Sequence, residues 1–312
     1  MIVLLETVHP DAEAILRAED DVILAPNPTT LPAVPRDEIT ALVTRGLGRI
    51  TSATIDTLPA LRVVARCGAG LDNVDTAAAH GRGVTVVYAP GITTGAVAEH
   101  ALMLALCLAR QTALLAASTA RGDWGIRDGF LSRELRGRRA GIVGLGSIGS
   151  RVAELSAAIG MEVVGWTRHP RSNSSISQVA FGELLATSDV IQLCVALTPD
   201  TARLIDAAAL AAMQPGTLLV NTARGQLVDQ AALAAALERG HLGGYATDVW
   251  DPEPPPEGTA LLADPRVLVT PHVAAFTDAT YRELCVGPAE AIAAVLRGDP
   301  PPPRFVLEPP RT

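Results

Sequence analysis

The chain has 312 residues, 48 % of them apolar but only 3 % aromatic, and a formal charge of −8. That length suggests two domains, each with a core of Ala, Val, Leu and Ile. The acidic balance excludes nucleic acid as an expected partner, because phosphate binding needs a concentrated positive footprint. Apart from histidine, every basic position is arginine and there is no lysine, so Schiff-base, pyridoxal-phosphate and P-loop lysine chemistry are excluded.

The first third alternates strands, predicted at 2–5, 22–25, 41–44, 63–66 and 84–88, with helical patterns at 10–19, 36–39, 54–58 and 76–80. The start reads as a strand and not as a signal peptide, because a basic n-region is missing and Glu6 comes early. After Pro90-Gly91 a long apolar helix is predicted over 96–117, carrying Glu99, His100 and Arg110. No run reaches the roughly 18–20 clean apolar residues of a membrane span, so no membrane partner and a cytoplasmic location are expected. A second β/α series places strands at 140–143, 162–165, 190–195, 218–221, 245–248 and 267–270. The cluster Pro252, Pro254, Pro255 and Pro256 reads as loop, and a closing helix over 278–297 leads to a Pro-rich tail. Such alternation predicts an α/β protein of two doubly wound parallel sheets. The expected division is a discontinuous domain, 1–94 with 283–312, into which residues 95–282 are inserted. Cys67, Cys107, Cys194 and Cys285 are widely spaced and sit in apolar surroundings, which reads as buried thiols with no metal site.

The most specific local signal is Ala140-Gly141-Ile142-Val143-Gly144-Leu145-Gly146-Ser147-Ile148-Gly149. A short apolar strand meets G-x-G-x-x-G and then a helical pattern through Val152, Leu155 and Ile159. Gly144 suits the tight turn, Gly146 a close approach of backbone to pyrophosphate, and Gly149 close helix–strand packing. The helix N-terminus then faces the phosphate charge. A glycine triplet alone is also common in ordinary strand-to-helix turns; the flanking elements favour the dinucleotide reading. Gly144, Gly146, Ser147, Ile148 and Gly149 are therefore expected to hold the cofactor.

In NAD-binding units an acidic residue usually follows the second strand and binds the ribose 2′-hydroxyl. Here that strand runs into Thr167, Arg168 and His169, with no carboxylate. A guanidinium would pair with a 2′-phosphate that a carboxylate would repel. NADP is accordingly expected in preference to NAD, with Thr167 and Arg168, and also His169 and Arg171, around the phosphate. The bland alternative is a solvated loop with incidental arginines.

Three charged residues follow predicted strand ends: Arg224 after 218–221, Glu253 after 245–248 and His272 after 267–270. In doubly wound sheets these ends converge on the ligand crevice. Hydride exchange between nicotinamide and a 2-oxo acid needs a planar cation for the carboxylate or its neighbouring oxygen, which suits Arg224. It also needs a proton donor near neutral pH, which suits His272, with Glu253 favouring the imidazolium. Asp248 suits a hydrogen bond from the carboxamide. Each residue alone also has a structural reading: a capping cation, a solvated acid, a satisfied core histidine. Their complementarity favours catalysis. His9, His80, His100 and His241 lack such placement.

These residues resemble the D-isomer-specific 2-hydroxyacid dehydrogenase family over nearly the whole chain. The likeness rests on Gly68-Ala69-Gly70-Leu71-Asp72-Asn73-Val74-Asp75, Val97-Ala98-Glu99-His100, the glycine triplet, Asn221-Thr222-Ala223-Arg224-Gly225, Asp248-Val249-Trp250 through Glu253-Pro254, and Thr270-Pro271-His272-Val273-Ala274. The resemblance implies a Rossmann domain inserted into a flavodoxin-like substrate domain. It implies Arg224, Glu253 and His272 as the catalytic set, backbone N–H groups around Ala69 and Gly70 on the substrate carboxylate, and Thr94, Thr222 and Asp248 near the nicotinamide half. It also implies a homodimer joined through the dinucleotide domain. Thr167 in place of the family's usual aspartate resembles glyoxylate and hydroxypyruvate reductases. Phosphoglycerate dehydrogenases are the second reading, in which Arg45 would contact substrate phosphate, although Gly46-Leu47-Gly48 beside it resembles the reductases equally. A dinucleotide-sensing scaffold or corepressor is the reading from another class, disfavoured by the lack of a basic surface run.

Overall fold

The computed structural model describes residues 1–169 and 175–309. Arg171 therefore lies outside the described residues. The chain divides into two units, Met1–Thr93 with Phe276–Thr312, and Thr94–Ala275. The second boundary falls before the closing helix and not within it, where 283 had been expected, because that helix is continuous from Asp278.

In the first unit the strands are β1 (Ile2–Leu4), β2 (Val22–Leu24), β3 (Ala41–Thr44), β4 (Val63–Arg66) and β5 (Thr85–Val87). Helices α1 (Pro10–Arg17), α2 (Ser52–Asp56) and α3 (Thr76–Gly81) connect them; 36–38 forms only a 3-10 turn. The sheet is parallel with order β2-β1-β3-β4-β5, the flavodoxin-like arrangement. The period-2 alternation of strands builds two cores. Ile2, Leu4, Ala41, Val43, Val63 and Ala65 face one, while Val3, Leu5, Leu42 and Val64 face the other.

The second unit opens with α4 (Thr94–Arg110) and α5 (Thr112–Ala120). The single long helix expected over 96–117 is two helices bent by 63°, because Gln111 takes a left-handed φ of 51°. Among the described residues no single helix is long and apolar enough to cross a membrane. The strands are β6 (Arg139–Val143), β7 (Glu162–Trp166), β8 (Ser177–Gln178), β9 (Val190–Leu193), β10 (Leu218–Asn221), β11 (Gly244–Thr247) and β12 (Val267–Val269). They form one sheet in the order β12-β11-β10-β9-β6-β7-β8, which is the Rossmann order with its switch point between β6 and β9. Helices α6 (Ser147–Ala158), α7 (Phe181–Thr187), α8 (Ala207–Ala212) and α9 (Gln230–Glu238) cross between strands. The chain then returns to the first unit in α10 (Asp278–Arg297), which packs on α1 and β4. All four cysteines are free thiols; Cys67 and Cys285 are buried, whereas Cys107 and Cys194 are part-exposed, against the expectation that all four are buried.

Candidate active site

The glycine turn has the geometry its spacing predicts. Gly144 has φ +98°, and a Cβ there would lie 2.8 Å from the Cys194 carbonyl. A Cβ on Gly149 would lie 1.8 Å from the Gly144 oxygen, so the helix can start this close to β6 only as glycine. A Cβ on Gly146 would meet nothing within 4 Å. Gly146 is also the uncapped N-cap of α6. Open space before a row of N–H donors fits a pyrophosphate. Ser147 and Ile148 form the first turn of that helix. At the end of β7, Thr167 is half-buried and Arg168 exposed. The Arg168 Nη1 donates to Asp200 Oδ2 at 2.9 Å, a partner the sequence did not suggest.

Three adjacent strands carry the charged set of this unit. After β10, Asn221 is fully buried, donates through Nδ2 to the Arg224 carbonyl at 2.8 Å and accepts from Ala223 N–H at 3.0 Å. This ties the turn on which Thr222 and Arg224 stand. A Cβ on Gly225 would come within 2.2 Å of the Trp250 carbonyl, so only glycine lets the Arg224 turn lie against the segment leading to Glu253. After β11, Glu253 accepts from Trp250 N–H at 2.9 Å and from His272 Nδ1 at 2.7 Å. Burial pushes the Glu253 carboxyl up. The hydrogen bond and charge of His272, the Trp250 amide and the Arg224 charge outweigh it and hold the carboxyl below its ordinary value. After β12, His272 has a left-handed φ of 56°, a conformation that costs a non-glycine residue roughly 1–2 kcal/mol. Its Nδ1 is committed to Glu253, and among the described residues no hydrogen-bond partner is found for Nε2 of the exposed ring.

Asp248 is 1 % exposed. Its Oδ1 accepts from Thr270 Oγ1 at 2.6 Å and Val273 N–H at 2.9 Å, and its Oδ2 from Ala274 N–H at 2.8 Å. A carboxylate has about four lone-pair directions, so at most about one remains for a ligand. Thr94 begins α4, which packs along β10, β11 and β12. From the same helix His100 Nε2 reaches Thr270 Oγ1 at 2.9 Å. The sequence marks His100 only as a mid-helix histidine, and its signal is its place in Val97-Ala98-Glu99-His100. Other histidines play local parts: His9 caps α1, and His80 and His241 meet backbone carbonyls.

The first unit holds a separate polar cluster. The turn after β4 carries Ala69 and Gly70, and among the described residues no group accepts from their amides. The Arg66 guanidinium crosses this turn, since a Cβ on Gly68 would lie 1.3 Å from its Nη1. Arg45 stacks its guanidinium 5.2 Å from the Phe276 ring and 5.7 Å from that of Tyr281. Among the described residues its buried Nε has no hydrogen-bond partner, and Glu6 Oε1 lies 4.0 Å from it. Sequence reasoning missed the residue that builds this corner. The buried Glu6 accepts at Oε2 from Thr44 Oγ1 and from the amides of Arg45, Gly46, Leu47 and Gly48, at 2.8 to 3.1 Å.

Comparison with known proteins gives these geometries a lineage. The chain is 40 % identical to D-3-phosphoglycerate dehydrogenase of Mycobacterium leprae over 86 % of its own length and 51 % of the relative's. It thus spans about half the length of such relatives. Among solved structures, the TT0316 protein of Thermus thermophilus superposes with a TM-score of 0.90 at 35 % identity, covering 98 % of this chain and 99 % of that one. An NADPH-dependent glyoxylate/hydroxypyruvate reductase of Sinorhizobium meliloti, solved with NADP and malonate, gives 0.87 at 27 % identity over 99 % and 98 %. The profile of D-isomer specific 2-hydroxyacid dehydrogenase, NAD binding domain, matches residues 102–274, more than half of the chain. With the Rossmann order of its sheet and the glycine turn at α6, the chain belongs to the D-isomer specific 2-hydroxyacid dehydrogenase family.

Proposed function

We propose that the protein reduces small 2-oxo acids to 2-hydroxy acids with a nicotinamide dinucleotide, NADPH in preference to NADH. The observation that carries this reading is the His272–Glu253 pair, 2.7 Å apart, joining the ends of the neighbouring strands β12 and β11, with Arg224 after the next strand, β10. The bound dinucleotide supplies the hydride. His272 Nε2 delivers the proton to the carbonyl oxygen, and Glu253 holds the ring by Nδ1. Arg224 grips the carboxylate or the adjacent oxygen. The amides of Ala69 and Gly70 bind the carboxylate, as a glycine-rich turn of exposed N–H groups does. Thr94, Thr222 and the spare direction on Asp248 serve the carboxamide side. The test is nicotinamide absorbance with glyoxylate, hydroxypyruvate, pyruvate and phosphohydroxypyruvate. Turnover of the first two is expected. No turnover with any of the four, together with tight nucleotide binding, would favour a sensing scaffold.

A second substrate reading has its own support. The relatives at 40 % identity are phosphoglycerate dehydrogenases, and Arg45 stands beside a turn crossed by Arg66. Preferred use of phosphohydroxypyruvate would select it.

The nucleotide preference rests on Thr167 and Arg168. Arg168 is paired with Asp200, but both are exposed, and such a pair is worth only about 0–1 kcal/mol. A dianionic 2′-phosphate offers the guanidinium a stronger partner. Arg168→Ala is expected to lower kcat/KM for NADPH about 10- to 100-fold and to leave NADH within about threefold. Asp200→Asn is expected to raise the NADPH/NADH ratio. Steady-state kinetics with both nucleotides decides; a wild-type preference for NADH rejects the assignment.

The partner we assign is a second copy of this chain. In α5 only Ser118 is buried although the helix reads TALLAASTA. Trp124 and Leu131 nearby in sequence are 70 % and 89 % exposed. Exposed apolar surface of this kind marks an interaction face. Trp124→Ser with Leu131→Asp is expected to convert a dimer to a monomer in size-exclusion light scattering, with little cost to the protomer because both side chains are exposed. An unchanged mass would remove the face from the interface.

A further inference from the structure

We propose that His100 is a positioning residue for His272, acting through Thr270 and Asp248. The inference rests on the proposed catalytic role of His272 and assigns a part to a side chain that acts on it through other residues.

Proton counting fixes the direction of the chain. Thr270 has one hydroxyl proton. At 2.6 Å from Asp248 Oδ1, a carboxylate oxygen that can only accept, that proton is spent there. Toward His100 Nε2, at 2.9 Å, Thr270 Oγ1 therefore accepts, and His100 carries its proton on Nε2. The same His100 nitrogen lies 3.5 Å from Asp248 Oδ1. Asp248, buried to 1 % exposure, in turn holds the amides of Val273 and Ala274. The His100 N–H thus orients Thr270, Thr270 and the two amides orient Asp248, and the carboxylate clamps the chain on both sides of His272. This clamp is needed, because His272 sits at φ 56° and its amide reaches back to the Thr270 carbonyl at 3.0 Å. A left-handed histidine persists only where its surroundings over-determine it. Links inside such a network are worth more than isolated hydrogen bonds, because each partner polarises the next.

Chemistry and packing make opposite forecasts for substitutions at 100. Glutamine can place an N–H near the Nε2 position; phenylalanine keeps the ring volume without a donor. Positioning predicts that His100→Phe lowers kcat about tenfold, the value of one hydrogen bond, with the nucleotide Kd within about threefold because the phosphates are assigned to α6. His100→Gln is expected to stay within about threefold of wild type. Mere packing predicts the reverse order. A readout independent of turnover is amide exchange of the purified protein, followed by mass spectrometry of the peptide covering 270–276. His100→Phe should accelerate exchange there about tenfold and leave the β6–α6 peptide unchanged. Thr270→Val, which removes the hydroxyl with little change of shape, should reproduce both effects if His100→Phe does not fold. Wild-type exchange in folded His100→Phe or Thr270→Val, or a better phenylalanine than glutamine variant, overturns the proposal. Absence of turnover in the wild type would instead strike the functional reading and leave the exchange test standing.

Discussion

His272→Gln should lower kcat by about a thousandfold and leave the nucleotide Kd within about threefold. The expectation follows from where the two ring nitrogens point. Nδ1 is held at 2.7 Å by Glu253, so the ring is fixed in orientation and Nε2 is the nitrogen left to serve a substrate. Glutamine retains a polar tip but titrates no proton, and proton delivery to the carbonyl oxygen is worth roughly 10²- to 10⁴-fold in rate. The proposed place for the dinucleotide's phosphates is elsewhere, at the N-terminus of α6, so its affinity should not follow kcat. Glu253→Gln should show the same split with a smaller loss, because it weakens the ring's partner without removing the ring. The carboxyl of Glu253 is held below its ordinary value, so the pair keeps its negative member throughout the neutral range and loses it only as pH falls through that depressed value. Stopped-flow single-turnover rates alongside fluorescence titration of the nucleotide separate the two quantities. A His272→Gln enzyme with wild-type kcat would end the acid–base assignment.

The parts of this site that were legible in the chain are those built by local rules. Strands buried on both faces read as continuous apolar runs, and the ends of such strands are where a doubly wound sheet places ligands. The placement of Arg224, Glu253 and His272 after strand ends could thus be read from their spacing to 218–221, 245–248 and 267–270. The glycine turn was equally readable, because each glycine answers a local steric demand. What was not legible depends on long-range pairing. His100 meets Thr270 across 170 residues, and Glu6 gathers amides about 40 residues away. Neither partner leaves a periodic trace. The break at Gln111 was hidden for a related reason: an unbroken run of good helix formers on both sides carries no stop signal, and only the left-handed residue ends α4.

Glu6→Gln should destabilise the first unit by about 2–4 kcal/mol at pH 7, measured as a lower urea midpoint for that unit. Four consecutive backbone amides and the Thr44 hydroxyl converge on Oε2, and a neutral amide oxygen accepts each of these bonds more weakly than a carboxylate. Burial pushes the Glu6 carboxyl up, but the donors at Gly46, Thr44, Gly48 and Arg45 win and hold it below its ordinary value. The sign of the pH dependence follows. A carboxyl depressed in the folded state contributes its full stability above the unfolded value of about 4.3 and loses it as pH falls through the folded value. The gap between wild type and Glu6→Gln should therefore be widest near neutrality and close on acidification; equal midpoints at pH 7, or a gap that widens in acid, would reject the role. The effect should reach chemistry through Arg45. Its guanidinium lies between a pinned backbone and the rings of Phe276 and Tyr281, so loosening residues 45–48 frees it to sample other rotamers. If Arg45 serves the substrate as proposed, the expected kinetic mark is a higher KM for the 2-oxo acid at unchanged nucleotide affinity, because Arg45 is displaced while the glycine turn of the other unit is untouched.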